Sequence, residues 1–233
     1  MLVPLALVVA SKLAYPERVK AFLAYQDTIF AVRRPMAWAE PSRESQIPRE
    51  SLEVAGLGLS SVRSRYAATL DPWDDKTSTW TIACEGFEEV LGWGIEPHYP
   101  RRLVRRLDEK KQAKLYALQL LKEQRVVPDS LKDPNVYAID LDGSGGQEFL
   151  VDIVAKVKDH EYGLAFLYCP KLKPTTLEFS RDGWPRILSV VSLDDDVHMQ
   201  IIVGGTTTAG KTVSLWQFNH QKLTRLAGFT TSP

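Results

Sequence analysis

Val136-Tyr137-Ala138-Ile139-Asp140-Leu141-Asp142-Gly143-Ser144-Gly145-Gly146-Gln147-Glu148-Phe149-Leu150-Val151 places apolar runs on either side of an acidic, glycine-supported turn. The flanking runs read as strands, and the segment between them, Asp-x-Asp-Gly-Ser-Gly-x-x-Glu, has the residue types of a metal loop. Ca²⁺ prefers about six to eight hard oxygens. The side chains of Asp140, Asp142 and Ser144, a backbone carbonyl at Gly146 and the carboxylate of Glu148 supply several of them, while Gly143 and Gly145 allow the chain to curl. A solvated turn accounts for the same composition, since Asp and Gly are common turn formers. The spacing argues against an EF-hand, which needs a helix on each side and a bidentate Glu at the twelfth loop position.

With strands as flanks, Asp140 to Glu148 resembles the calcium loop of FG-GAP (VCBS-type) repeats, which form the blades of integrin-α-like β-propellers. The resemblance implies that loop positions one, three, five and nine and the carbonyl at seven hold the ion. These positions fall on Asp140, Asp142, Ser144, Glu148 and Gly146. Ser144 departs from the usual Asp or Asn, which removes a charge and weakens the site. The resemblance extends over residues 130 to 230. It implies a non-enzymatic binding or adhesion role, a protein or glycan partner, and calcium as the ion that stiffens the loop.

Strand-like runs follow Asp129 in two sets of four, at 136–139, 149–157, 162–169 and 175–179, then at 187–193, 200–203, 212–218 and 223–229. The second set has its own acidic turn, Ser192-Leu193-Asp194-Asp195-Asp196-Val197-His198-Met199-Gln200, displaced by 52 residues from position 140 to position 192. That spacing is close to one propeller blade. Only Asp194 and Asp196 keep ligand character there, both glycines are missing, and Gln200 replaces the final acid, so this loop is expected to keep its shape without binding calcium well. Two blades do not close a propeller, which typically takes four to eight. Either amino-terminal strands add to the two sheets or the two units pack face to face.

Before residue 129 the pattern is mixed. Residues 15–32 permit a short helix followed by a strand, 39–53 read as an exposed connector, and 64–70 with 78–84 form a hairpin across Asp71-Pro72-Trp73-Asp74-Asp75-Lys76. Pro100 to Val126 carries the clearest helical spacing, through Leu103, Leu107, Leu115, Leu118 and Leu121, with Pro128 closing it. Its basic start, Arg101-Arg102 and Arg105-Arg106, reads as a solvated face or as a grip for an anion. The fold class expected is therefore α+β: a mixed region over 1–128 with one long helix at about 100–126, then two antiparallel four-stranded FG-GAP-like units over 129–182 and 183–233.

A second motif competes for the function. Gly205-Thr206-Thr207-Thr208-Ala209-Gly210-Lys211-Thr212 satisfies the P-loop expression G-x-x-x-x-G-K-[ST], and its alternative reading is an ATPase or GTPase with Lys211 on the phosphates and Thr212 on Mg²⁺. A P-loop needs a helix beginning at the lysine. The next residues, Val213-Ser214-Leu215-Trp216-Gln217-Phe218, read as a strand, and only the 21 residues from Val213 to Pro233 follow the motif. A hairpin between two strands explains the same residues. Ile187 to Asp194 resembles a Walker B strand, but it precedes the loop.

The rest of the composition narrows the field. The chain has 233 residues, 44% hydrophobic, enough to bury a core, and 29 basic residues balance 29 acidic ones, giving no hint of nucleic acid as an obligatory partner. Cys84 and Cys169 lack metal-ligand spacing and read either as one disulfide or as two buried thiols. There is no G-x-S-x-G or H-E-x-x-H, and His98, His160, His198 and His220 lie far apart in sequence. Met1 to Ala10 has an apolar stretch of secretory length with a small residue at Ala10, which favours a secreted or periplasmic location, although nothing basic precedes it. No segment reaches the roughly twenty apolar residues of a membrane span.

Overall fold

The computed structural model describes residues 19–35, 37–48, 52–84, 86, 89–95, 97–100, 103–106, 108–170, 172–193, 199–208, 210–219 and 222–230. Among them β1 (Ala21–Tyr25) and β2 (Thr28–Arg33) form a hairpin whose two-residue turn has Gln26 at φ 57°. β4 (Leu52–Leu57), β5 (Val62–Leu70), β6 (Trp80–Cys84) and β7 (Val90–Trp93) extend it into a closed circuit of antiparallel pairs, β1-β7-β4-β5-β6-β2 and back to β1. The short β3 (Trp38–Ala39) adds to β2.

Successive residues of a strand point to opposite faces. Phe22 and Ala24 therefore turn into the barrel, with Ile29, Val54, Ala68, Trp80 and Leu91 drawn from the other strands of the ring. Leu23 and Tyr25 turn outward, and yet they too are buried. What covers them is the third sheet.

The second sheet runs β13 (Leu172–Arg181), β12 (His160–Cys169), β11 (Glu148–Val157), β10 (Asn135–Ile139) and β8 (Val104–Arg105), with β9 (Ser130–Leu131) paired to the far end of β11. The third is β14 (Arg186–Val191), β15 (Gln200–Thr207), β16 (Gly210–Asn219) and β17 (Lys222–Thr230), antiparallel and in sequence order. Three apolar seams give the order of the layers. Leu188, Val191, Ile202, Val213 and Leu215 of the third sheet meet Leu23, Tyr25 and Phe30 of the barrel. The opposite face of that sheet, with Val190, Ile201, Val203 and Phe218, meets Ile139, Leu150, Leu167 and Leu177 of the second. The outer face of the second sheet, with Val136, Phe149, Val151 and Phe166, is closed by α1 (Lys110–Glu123). The six-stranded second sheet and the four-stranded third sheet thus pack face to face, between a barrel and a helix, and the second sheet takes β8 from the segment before the helix in addition.

This corrects the α+β expectation and its long helix at 100–126. The structure is mostly β, with eight strands before the helix and one helix of 14 residues among the described ones. The leucine spacing merged two elements. Leu103 packs into the seam between the second and third sheets, Val104 and Arg105 pair with β10, and the helix starts only after Asp108 and Glu109. Its buried face is Ala113, Ala117, Leu120 and Leu121, whereas Leu115 and Leu118 are 53% and 42% exposed. Arg105 and Arg106 are engaged at the sheet edge, Arg105 on Asn135 Oδ1 at 2.8 Å and Arg106 on both oxygens of Asp108, and Arg101 and Arg102 lie outside the described residues. The short helix expected within 15–32 is also replaced by strand, because Phe22, Tyr25, Thr28, Ile29, Phe30 and Val32 favour a two-sided buried hairpin over a helix with one apolar face.

Candidate metal centre

The loop Asp140 to Gln147 connects β10 to β11, and the pair Ile139 with Glu148 closes the ladder beneath it. Gly143 and Gly145 stand at φ 69° and 81°, a left-handed backbone that costs a side-chain-bearing residue about 1–2 kcal/mol. The resulting curl is tied internally. Ser144 N–H donates to Asp142 Oδ1 at 3.0 Å, Gly145 N–H to Asp140 Oδ2 at 2.9 Å, and Leu141 N–H to Glu148 Oε2 at 2.9 Å. One carboxylate oxygen from each of Asp140, Asp142 and Glu148 lies within 4.8 Å of the others, so these three form a cluster that could hold a metal ion.

Two further features fit a cation. Asp140 Oδ1 is enclosed and has no hydrogen-bond partner among the described residues. Leaving a buried acceptor unmade costs about 1–3 kcal/mol, and a coordinated ion removes that cost. Glu148 is only 5% exposed; burial pushes its carboxyl above the usual range, the Leu141 N–H partly opposes this, and the Asp142 and Asp140 charges add to it. A Cβ placed on Gly146 would stand 3.3 Å from Ser144 Oγ and 3.6 Å from Glu148 Oε1, so a side chain there would crowd the first of these expected donors and touch the second. All-oxygen donors of this kind suit a hard divalent ion and not zinc or copper.

The second loop repeats the brace. Leu193 N–H donates to Gln200 Oε1 at 2.9 Å, as Leu141 does to Glu148, and Val191 pairs with Gln200 as Ile139 pairs with Glu148. Gln200 is wholly buried, and its Nε2 has no partner among the described residues. Asp194 and Asp196 lie outside the described residues.

The GKT segment sits elsewhere. Thr206 pairs with Lys211 and Gly205 with Thr212 in the β15–β16 hairpin, β16 continues as strand to Asn219, and Lys211 Nζ lies 3.1 Å from Asp27 Oδ1 on the β1–β2 turn. Among the described residues no helix begins at Lys211, where β16 runs as strand, and β14 runs antiparallel to β15 where a P-loop fold has parallel strands. Asp74 accepts from Lys76 N–H and Thr77 Oγ1, a self-contained turn, and both cysteines are free thiols.

Sequence reading passed over two carboxylates, the buried Asp152 and the half-buried Glu178. Asp152, within the apolar run of β11, accepts from Asn135 Nδ2 at 2.7 Å and lies 3.4 Å from the Ile187 nitrogen; Glu178 of β13 accepts from Ser214 Oγ at 3.1 Å across the seam to the third sheet. Burial raises both pKa values, and for Asp152 a lone acid inside the apolar run of β11 was the available signal. Among the described residues no helix is long and apolar enough to cross a membrane. No family model, no curated protein and no solved structure matches the chain.

Proposed function

We propose that this chain is a non-enzymatic, adhesion-type binding protein in which Ca²⁺ stabilises an FG-GAP-like loop, with Asp140, Asp142, Ser144, the Gly146 carbonyl and Glu148 as its ligands. The observation that carries the reading is the convergence of one oxygen from each of three carboxylates within 4.8 Å, beside which Asp140 also has an enclosed, unpartnered Oδ1. With Ser144 in place of a fourth acid, the charge count suits an affinity of about 10⁻⁴ to 10⁻³ M, the range of extracellular modules, and this supports a secreted or periplasmic setting. A protein or glycan is the partner class that goes with such a module. Isothermal titration with Ca²⁺ and thermal melts in Ca²⁺ against chelator test the reading. A binding heat and a raised midpoint are expected, both lost in Asp142→Ala; superimposable melts with no heat would remove the ion and the function built on it.

A further inference from the structure

Leu141 lies between two of the proposed ligands and is held three ways. Its N–H donates to Glu148 Oε2 at 2.9 Å, its carbonyl accepts from Met199 N–H at 3.1 Å, and its side chain is fully buried in the seam between the second and third sheets, where Met199 also packs. Met199 immediately precedes β15, whose first residue, Gln200, braces Leu193. The adjoining Ser192 exchanges two backbone hydrogen bonds with His98, at 3.0 and 2.7 Å. A continuous run of bonds therefore leads from the metal loop to the next sheet and on to the segment that follows the barrel.

We infer that the cation bound by the first loop is sensed by the third sheet through Leu141, so that the site regulates the order of the neighbouring unit as well as its own. The inference rests on the calcium reading above. Leu141 is the residue between Asp140 and Asp142, its N–H is held by the third acid, Glu148, and its carbonyl is the acceptor of Met199, so an ordering of the loop backbone around an ion is passed to Met199 through one residue. Loss of the ion loosens the Leu141 to Met199 bond, and by linkage, loss of that bond weakens the ion.

Backbone hydrogen exchange on the full chain, in Ca²⁺ and in chelator, decides it. At about 100 times the dissociation constant, openings that release the ion are suppressed by about 100-fold. The Met199 amide is expected to slow together with Leu141 and Gly145, while Ala24 in the barrel keeps its rate. Slowing at Leu141 and Gly145 with Met199 unchanged would overturn the coupling and leave the calcium site intact. No slowing anywhere, with no calorimetric heat, would overturn both. Met199→Pro removes the donor at a position just before a strand, where proline is tolerated, and is expected to weaken Ca²⁺ by about fivefold or more. An unchanged affinity in a folded Met199→Pro protein would also overturn the coupling, and if the variant fails to fold the wild-type exchange rates still decide.

Discussion

Glu148→Gln separates what the loop needs from what an ion needs. A glutamine there can keep the Leu141 brace through Oε1, as Gln200 does for Leu193, while removing one of three converging charges. At an effective dielectric of about 20, two carboxylates about 4.8 Å apart repel by about 3.5 kcal/mol. Asp140 and Asp142 are each only half buried, and solvent screening reduces the relief on losing Glu148 to about 1–3 kcal/mol. In chelator the variant should therefore melt above the wild type. In Ca²⁺ at about 100 times its dissociation constant the wild type gains about 2.7 kcal/mol, a rise of about 5–10 °C for a chain of this size, and the variant gains nothing. The lead of the variant in chelator is closed or reversed by the ion, which melts in the two buffers read directly. A variant less stable than wild type in chelator, or one that keeps the calcium response, would refute the reasoning.

Gly146→Ala puts a Cβ against Ser144 Oγ and Glu148 Oε1 and should weaken Ca²⁺ in calorimetry by about tenfold with little change in the chelated melt, a loss of about 1.4 kcal/mol in binding. Leu121→Ala, at a fully buried position under the second sheet, should cost about 2–5 kcal/mol in urea unfolding, whereas Leu115→Ala on the exposed side should stay within about 0.5 kcal/mol. Asp152 has a folded pKa above its unfolded value of 3.8, so its ionised form opposes folding at neutral pH and that penalty is relieved as pH falls through the folded pKa toward 3.8. Urea midpoints of the chelated protein should rise on acidification from pH 7, and Asp152→Asn should reduce that rise while costing about 1–3 kcal/mol at pH 7, because an amide N–H₂ must face Asn135 Nδ2 or the Ile187 N–H.

The acidic loop could be read because its information is local. Glycines at φ 69° and 81°, carboxylates at alternate positions and strands of alternating apolar faces are all written within 16 consecutive residues. The barrel could not be read that way. Its closure depends on β1 pairing with β7 and β2 pairing with β6, contacts between residues about 70 and 50 positions apart, and no local pattern at Phe22 or Trp80 announces them. The helix failed for a different reason. Leu103, Leu115, Leu118 and Leu121 keep helical spacing by coincidence of two elements, and the packed face uses Ala113 and Ala117, small residues that let the helix approach the sheet and that leucine periodicity ignores.

The paired braces suggest an order of importance within the loop. Leu141 N–H on Glu148 and Leu193 N–H on Gln200 have the same length, 2.9 Å, and the same place above the first ladder pair of their sheets. A neutral amide serves the second loop as well as a carboxylate serves the first, so the turn that caps each sheet is held by a hydrogen bond and does not depend on charge. The negative charge at 148 then has no use in the fold itself: it is buried, raised in pKa and repelled by two neighbours. A charge that costs stability where a neutral amide makes the equivalent bond in the second loop marks Glu148 as a candidate functional group. On the proposed calcium reading, a divalent cation would answer that cost at Asp140, Asp142 and Glu148 together, in the loop that has Gly143, Gly145 and Gly146, while the loop ending in Gln200 has none of those glycines.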